Sequence, residues 1–88
     1  MEHLRLRDRN LSWREIDEEI LVLDLEAAAY ISVQGAGRTL WPLLVTGATR
    51  SQLVTALTAK YEIDDEVAVR DVDLFVADLK ERGLIDQH

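Results

Sequence analysis

The chain has no cysteine, and that absence excludes more than any other. A disulfide framework, a thiol nucleophile and a cysteine zinc site are all ruled out. Histidine occurs only twice, as His3 and His88 near the two ends. Neither has a partner that local spacing would bring beside it. Ser12, Ser32 and Ser51 likewise lack a local base. Gly35-Ala36-Gly37 has no GxGxxG continuation and no P-loop lysine. Asp71-Val72-Asp73 lacks the glycine and distal glutamate of a calcium loop. Apolar runs are too short to span a bilayer, and Met1 to Arg5 does not begin a signal peptide. The expectation is a soluble cytoplasmic chain that is not an enzyme and holds neither metal nor cofactor.

Positive charge is also scarce. Ten Lys and Arg face seventeen Asp and Glu, for a net charge of −7. Such a chain repels a phosphate backbone overall. A winged-helix nucleic-acid binder would need a basic recognition helix. The second helical stretch offers only Arg50 and Lys60, and the third sets Arg70, Lys80 and Arg82 against more numerous acids. That reading, and a structural subunit of a larger enzyme, stand as the alternatives. The acid clusters at residues 17–19 and 64–66 read as turns, helix caps and solvated faces. Arg5, Arg7, Arg9 and Arg14 crowd the start, as a solubilising tail or a contact with a partner enzyme.

Eighty-eight residues, 48% of them hydrophobic, make one small domain over residues 1–88. Residues 1–10 read as a loosely ordered terminus or a short edge segment. Leu11 to Glu15 alternates apolar and polar, as a half-buried strand does. Ile20 to Leu25 is apolar at every position except Asp24. Tyr30 to Val33 is rich in β-branched and aromatic residues. Asp17-Glu18 and Glu26 to Ala29 are short enough to be hairpin turns. The result is a three-stranded antiparallel meander.

Three helices follow, so the fold class is α+β and winged-helix-like. Leu40 to Val45 forms an irregular first helix, starting late with Thr39 as its cap or kinked at Pro42. Thr49 and Gln52 match a capping box for the second. Asp64 or Asp65 caps the third, which runs to Arg82 and ends at Gly83. Ala68, Val72, Phe75, Val76 and Leu79 make its core stripe at helical spacing. Leu84 and Ile85 fold back as an apolar tail.

Tyr30 to Val33 would be the last strand of the meander, with one side unpaired. It carries no lysine, proline or charge to blunt that edge. Val67, Asp71, Leu74 and Asp78 share a face of the third helix away from the core stripe. They are either scattered surface residues or one wall of a groove beside the edge. An uncharged edge beside spare apolar residues can accept a peptide as an added strand. Proline at Ile31 is expected to block that strand and spare the fold.

Several stretches together resemble the PqqD-like family of leader-recognition domains. They are Ile20-Leu21-Val22-Leu23-Asp24 with Tyr30 and Val33, the helix with Trp41, and Gly47-Ala48-Thr49 leading into Leu53 and Leu57. Arg70-Asp71-Val72 and the ending Leu79 to Ile85 complete them. The resemblance covers Leu11 to Ile85 and is nearest to free-standing recognition proteins of lasso-peptide systems. It implies a three-stranded sheet with three helices and no catalysis. It implies binding of a precursor's leader between the third strand and third helix. The peptide would lie along Tyr30, Ile31, Ser32 and Val33, against Val67, Asp71, Leu74, Phe75 and Asp78. A leader-removing cysteine protease and an ATP-dependent cyclase are the implied enzyme partners. The chain departs from the family at Ala27-Ala28-Ala29, where glycine is common, and at Gln34, where asparagine is.

Overall fold

The computed structural model describes residues 3–87, so His88 lies outside the described residues. Six strands and three helices occur in the order β1 (His3–Leu6), β2 (Leu11–Ile16), β3 (Glu19–Asp24), β4 (Ala29–Val33), α1 (Ala36–Thr46), β5 (Ala48–Thr49), α2 (Arg50–Lys60), α3 (Asp65–Glu81) and β6 (Ile85–Gln87). Strands β2, β3 and β4 form the expected antiparallel meander, but β2 is exposed at every residue except Leu11 rather than half-buried. The β3–β4 turn is Leu25 to Ala28, one residue earlier than its sequence suggests. Ala28 closes it at φ 53°, where an L-residue is strained and glycine is at home.

A second sheet, in the order β5-β1-β6, was not legible in the sequence. Its central strand is β1, so the reading of residues 1–10 as a tail or edge is corrected. Leu4 and Leu6 are buried there, because β5 and β6 complete its ladder from both sides. The apolar tail joins this sheet, with Leu84 buried and Ile85 opening β6.

Helix α1 starts at Ala36, earlier than expected, and carries Pro42 in its interior. Gly35 at φ 61° turns the chain into it without a side-chain cap. Pro42 is exposed, so its ring meets solvent rather than the core. The Thr49–Gln52 capping box of α2 forms in both directions. Of the two candidate caps for α3, Asp64 occupies the position, but its side chain makes no capping hydrogen bond. Gly83 reverses the chain at φ 74°, and its N–H donates to the Lys80 carbonyl.

One core joins both sheets to the helices. Trp41 lies at its centre, fully buried, and meets the half-exposed Trp13 edge-on at a ring separation of 6.2 Å. Ala68, Val72, Val76 and Leu79 of α3 face this core as expected. Phe75 is only half-buried, because it lies at the margin of the stripe, towards β4. Among the described residues no helix is long and apolar enough to cross a membrane.

Candidate functional site

The meander has two outer strands, and β4 is the one beside α3. Its hydrogen-bonding directions follow from the turns. Two residues connect β2 to β3, and Ile16 pairs with Glu19 across them. In such a hairpin the closing pair is hydrogen-bonded, and bonded pairs then alternate with unbonded ones. Glu19, Leu21 and Leu23 therefore turn their backbone groups to β2. Ile20, Val22 and Asp24 turn theirs to β4, where they pair with Val33, Ile31 and Ala29. The N–H and C=O groups of Tyr30 and Ser32 are left pointing at the open edge. This corrects the expectation for Ile31, whose N–H belongs to the ladder with β3.

Side chains on β4 alternate as the pleat requires. Ile31 and Val33 are buried beneath the sheet, while Tyr30 is 78% exposed and Ser32 lies on the outer face. Ser32 Oγ donates to Glu19 Oε2 at 3.1 Å, and Gln34 Nε2 donates to the same carboxylate at 2.8 Å. No charged side chain arises from β4 itself.

The second wall is α3. Gly37 of α1 brings the two walls together. A Cβ on Gly37 would lie 2.7 Å from Phe75 Cε1 and 2.9 Å from Val33 Cγ1. A side chain there would have to displace Phe75 or Val33, so Gly37 lets Val33 of β4 and Phe75 of α3 approach α1 side by side. Gly37→Ala is expected to lower the melting temperature, although alanine favours a helix by about 1 kcal/mol. Overpacking typically costs about 1–3 kcal/mol and here displaces the Phe75 ring. A thermal melt that rises instead would show the Gly37 site to be roomy.

Val67, Asp71, Leu74 and Asp78 line the outer side of the same helix. Leu74 is 65% exposed, while Val67 and Asp71 are half-buried. Asp78 pairs with Arg82 at 3.1 Å, one turn on. Among the described residues Asp71 has no ion-pair partner, so its carboxylate is open to an incoming cation. The edge of β4 thus presents backbone donors and acceptors at Tyr30 and Ser32, and the outer side of α3 presents Leu74 and Val67 beside the Asp71 carboxylate.

Two residues of this region escaped sequence reasoning. Gly37 was legible only as part of a strand break, although a glycine inside a helix is itself a signal of close approach. Asp24 was visible as the one polar residue in an apolar strand, and its partner Arg7 was hidden in the arginine-rich start. The surface hollows lie elsewhere. One of about 500 Å³ is lined by Ile16, the acidic turn Asp17 to Glu19, Gln34 and Gly35. Another of about 460 Å³ lies over the meander at Ser12, Trp13, Arg14, Ile16, Leu21, Val22, Leu23 and Tyr30. Among the described residues no group of three His, Cys, Asp or Glu could hold a metal ion.

Comparison with known proteins places this geometry among relatives. No curated protein matches the chain. Two solved structures do. One, TbiB1 in complex with the TbiA(beta) leader peptide, is 27% identical with a TM-score of 0.85, covering 93% of this chain and 94% of its own. The other, lasso peptide synthetase B1 complexed with the leader peptide, is 26% identical with a TM-score of 0.81, covering 94% and 96%. The family described as Coenzyme PQQ synthesis protein D (PqqD) matches residues 19–85, from the first residue of β3 to the first of β6. The chain belongs to the PqqD family.

Proposed function

We propose that this chain binds the leader region of a ribosomally made precursor peptide as a strand added to β4, in the trough between β4 and α3. One observation carries the reading: both similar structures are complexes with leader peptides, and this chain presents an open, uncharged strand edge beside α3. Tyr30 and Ser32 supply the backbone pairing. Phe75, Leu74 and Val67 supply apolar contact, and Asp71 attracts a basic residue. The protein holds and presents its ligand without chemistry of its own. In a lasso-type system it delivers the precursor in the cytoplasm to a leader-removing cysteine protease and an ATP-dependent cyclase. A nucleic-acid partner is disfavoured by the net charge of −7.

The test is titration of a fluorescein-labelled synthetic leader taken from the cognate precursor peptide. Absence of saturable binding to the wild-type protein would reject the reading. Leu74→Ser refines it. Covering an apolar side chain is worth about 1.5–3 kcal/mol, and about 1.4 kcal/mol is a factor of ten in affinity. Leu74→Ser should therefore weaken binding by about tenfold or more. Its melting temperature should barely move, since surface changes usually stay within about 0.5 kcal/mol. Phe75→Ala should do both. Its half-buried ring contributes to the core, though less than the about 3–5 kcal/mol of a fully buried phenylalanine, and it floors the trough. A normal affinity with a lowered melting temperature for Leu74→Ser would move Leu74 from the trough to the core.

A further inference from the structure

We propose that Arg7 is a positioning residue for the leader trough, tying β4 and α3 together at the end opposite Gly37; this rests on the proposed function above. The guanidinium is 6% exposed, and each of its nitrogens is engaged. Nη2 donates to Asp24 Oδ1 at 2.5 Å, Nη1 to the Gly83 carbonyl at 2.9 Å, and Nε to the Arg9 carbonyl at 2.9 Å. Asp24 ends β3 and pairs with Ala29, the first residue of β4. Gly83 is the turn that ends α3. One planar group therefore joins the last residue of β3, which pairs with the first residue of β4, to the turn that follows α3.

The backbone around Arg7 repeats the connection. Arg7 N–H donates to the Leu84 carbonyl at 2.8 Å, beyond α3. Leu25 N–H, in the turn before β4, donates to the Asn10 carbonyl at 2.8 Å. Asn10 Nδ2 reaches Glu26 Oε2 in the same turn at 3.2 Å. Residues 7–10 thus strap the β3–β4 turn to the α3 terminus. The second tie between the walls is the contact of Val33, Gly37 and Phe75. With a tie at each end, the spacing that an added strand must match is set before the peptide arrives. Preorganisation of this kind raises affinity because binding need not order the walls.

The fork geometry is specific to arginine. A lysine offers a point charge that can satisfy Asp24 or the Gly83 carbonyl, whereas a guanidinium holds both in one plane. The experiment compares Arg7→Met and Arg7→Lys with Leu57→Ala, a fully buried change in α2 that touches neither β4 nor the β3–β4 turn through a hydrogen bond or ion pair. All are studied at a temperature where each is folded by circular dichroism. The labelled leader described above is the probe. Arg7→Met should bind on the order of tenfold more weakly than wild type, with Arg7→Lys between them and Leu57→Ala unchanged despite its lower melting temperature. The absence of cysteine allows a second readout without ligand: spin labels at Ser32→Cys and Ala77→Cys. Their distance distribution should broaden in Arg7→Met and stay narrow in Leu57→Ala. Equal leader affinity for Arg7→Met and Leu57→Ala, with unchanged label distances, would reduce Arg7 to a stabilising residue. Failure of the wild type to bind would instead reject the proposed function, while the label distances still report on the strap.

Discussion

Ser32→Pro is expected to abolish leader binding and leave the fold standing, whereas Ile31→Pro is expected to unfold it. The two positions are neighbours, and the difference lies in which way each N–H points. Ser32 turns its N–H to the open edge, where proline deletes a donor that only a bound strand would use. Its side chain is exposed, and the hydrogen bond to Glu19 that it loses is a surface one. The residue before a proline prefers extended backbone, which β4 already has at Ile31. Ile31 turns its N–H to Val22, so proline there removes a rung of the ladder. It also removes a core side chain only 9% exposed, a loss of about 2 kcal/mol or more. Circular dichroism, thermal melts and titration of the labelled leader separate the outcomes. A folded Ser32→Pro with wild-type affinity would end the strand-addition model. An Ile31→Pro as stable as wild type would mean that the bonded and unbonded pairs are interchanged.

The second large effect belongs to Asp24. Its carboxylate is buried and accepts from Arg7 and from the N–H groups of Glu26 and Ala27. Chiefly through the hydrogen bond from Arg7, its pKa lies below the ordinary value of 3.8, with the backbone donors adding to the shift and burial opposing it. A carboxylate with a lowered pKa in the folded state stabilises the fold above its unfolded pKa. That stabilisation is lost as pH falls through the folded value, because the proton then binds the unfolded chain more readily. Asp24→Asn leaves the buried Arg7 guanidinium only the half-exposed Glu26 carboxylate, 3.5 Å away, as a counter-ion, and losing the charge at the shorter contact is among the costlier substitutions. At neutral pH its melting temperature should fall by about 10 °C or more, given about 4–8 °C per kcal/mol in a domain of this size. The gap between wild type and Asp24→Asn should then narrow as pH drops below about 4, the unperturbed range of the group. The difference between the two proteins isolates Asp24 from Asp73, whose pKa is also lowered, by Arg50. Urea midpoints measured from neutral pH to acid for both proteins supply the check. A gap that stays constant through the acid range would mean that the carboxylate is not what Arg7 stabilises.

What could be read ahead of the structure was local. Alternation in Leu11 to Glu15, the apolar run from Ile20 and the β-branched stretch to Val33 specify a meander, because a period of two needs no distant partner to be recognised. Thr49 and Gln52 mark the start of α2 because a capping box is closed within four residues. The exposure of Leu74 and burial of Val72 follow from helical spacing alone. The uncharged edge at Tyr30 to Val33 was equally visible, since charge is a property of composition.

Tertiary structure decided everything that depends on pairing across long separations. A four-residue strand such as β1 carries almost no pattern of its own. It becomes a strand because β5 and β6, tens of residues away, offer it two ladders. Phe75 satisfies the core period yet lies at its margin, since Gly37 lets the ring settle between α1 and β4 rather than under the sheet. The direction of the Ile31 N–H was set by the two-residue turn after Ile16, one strand removed, through the alternation of bonded pairs. Arg7 is one of four arginines in the first fourteen residues, and nothing in its neighbourhood sets it apart. It is buried because a carboxylate from the end of β3 and a carbonyl from the end of α3 meet at one point, and only a guanidinium can satisfy both at once.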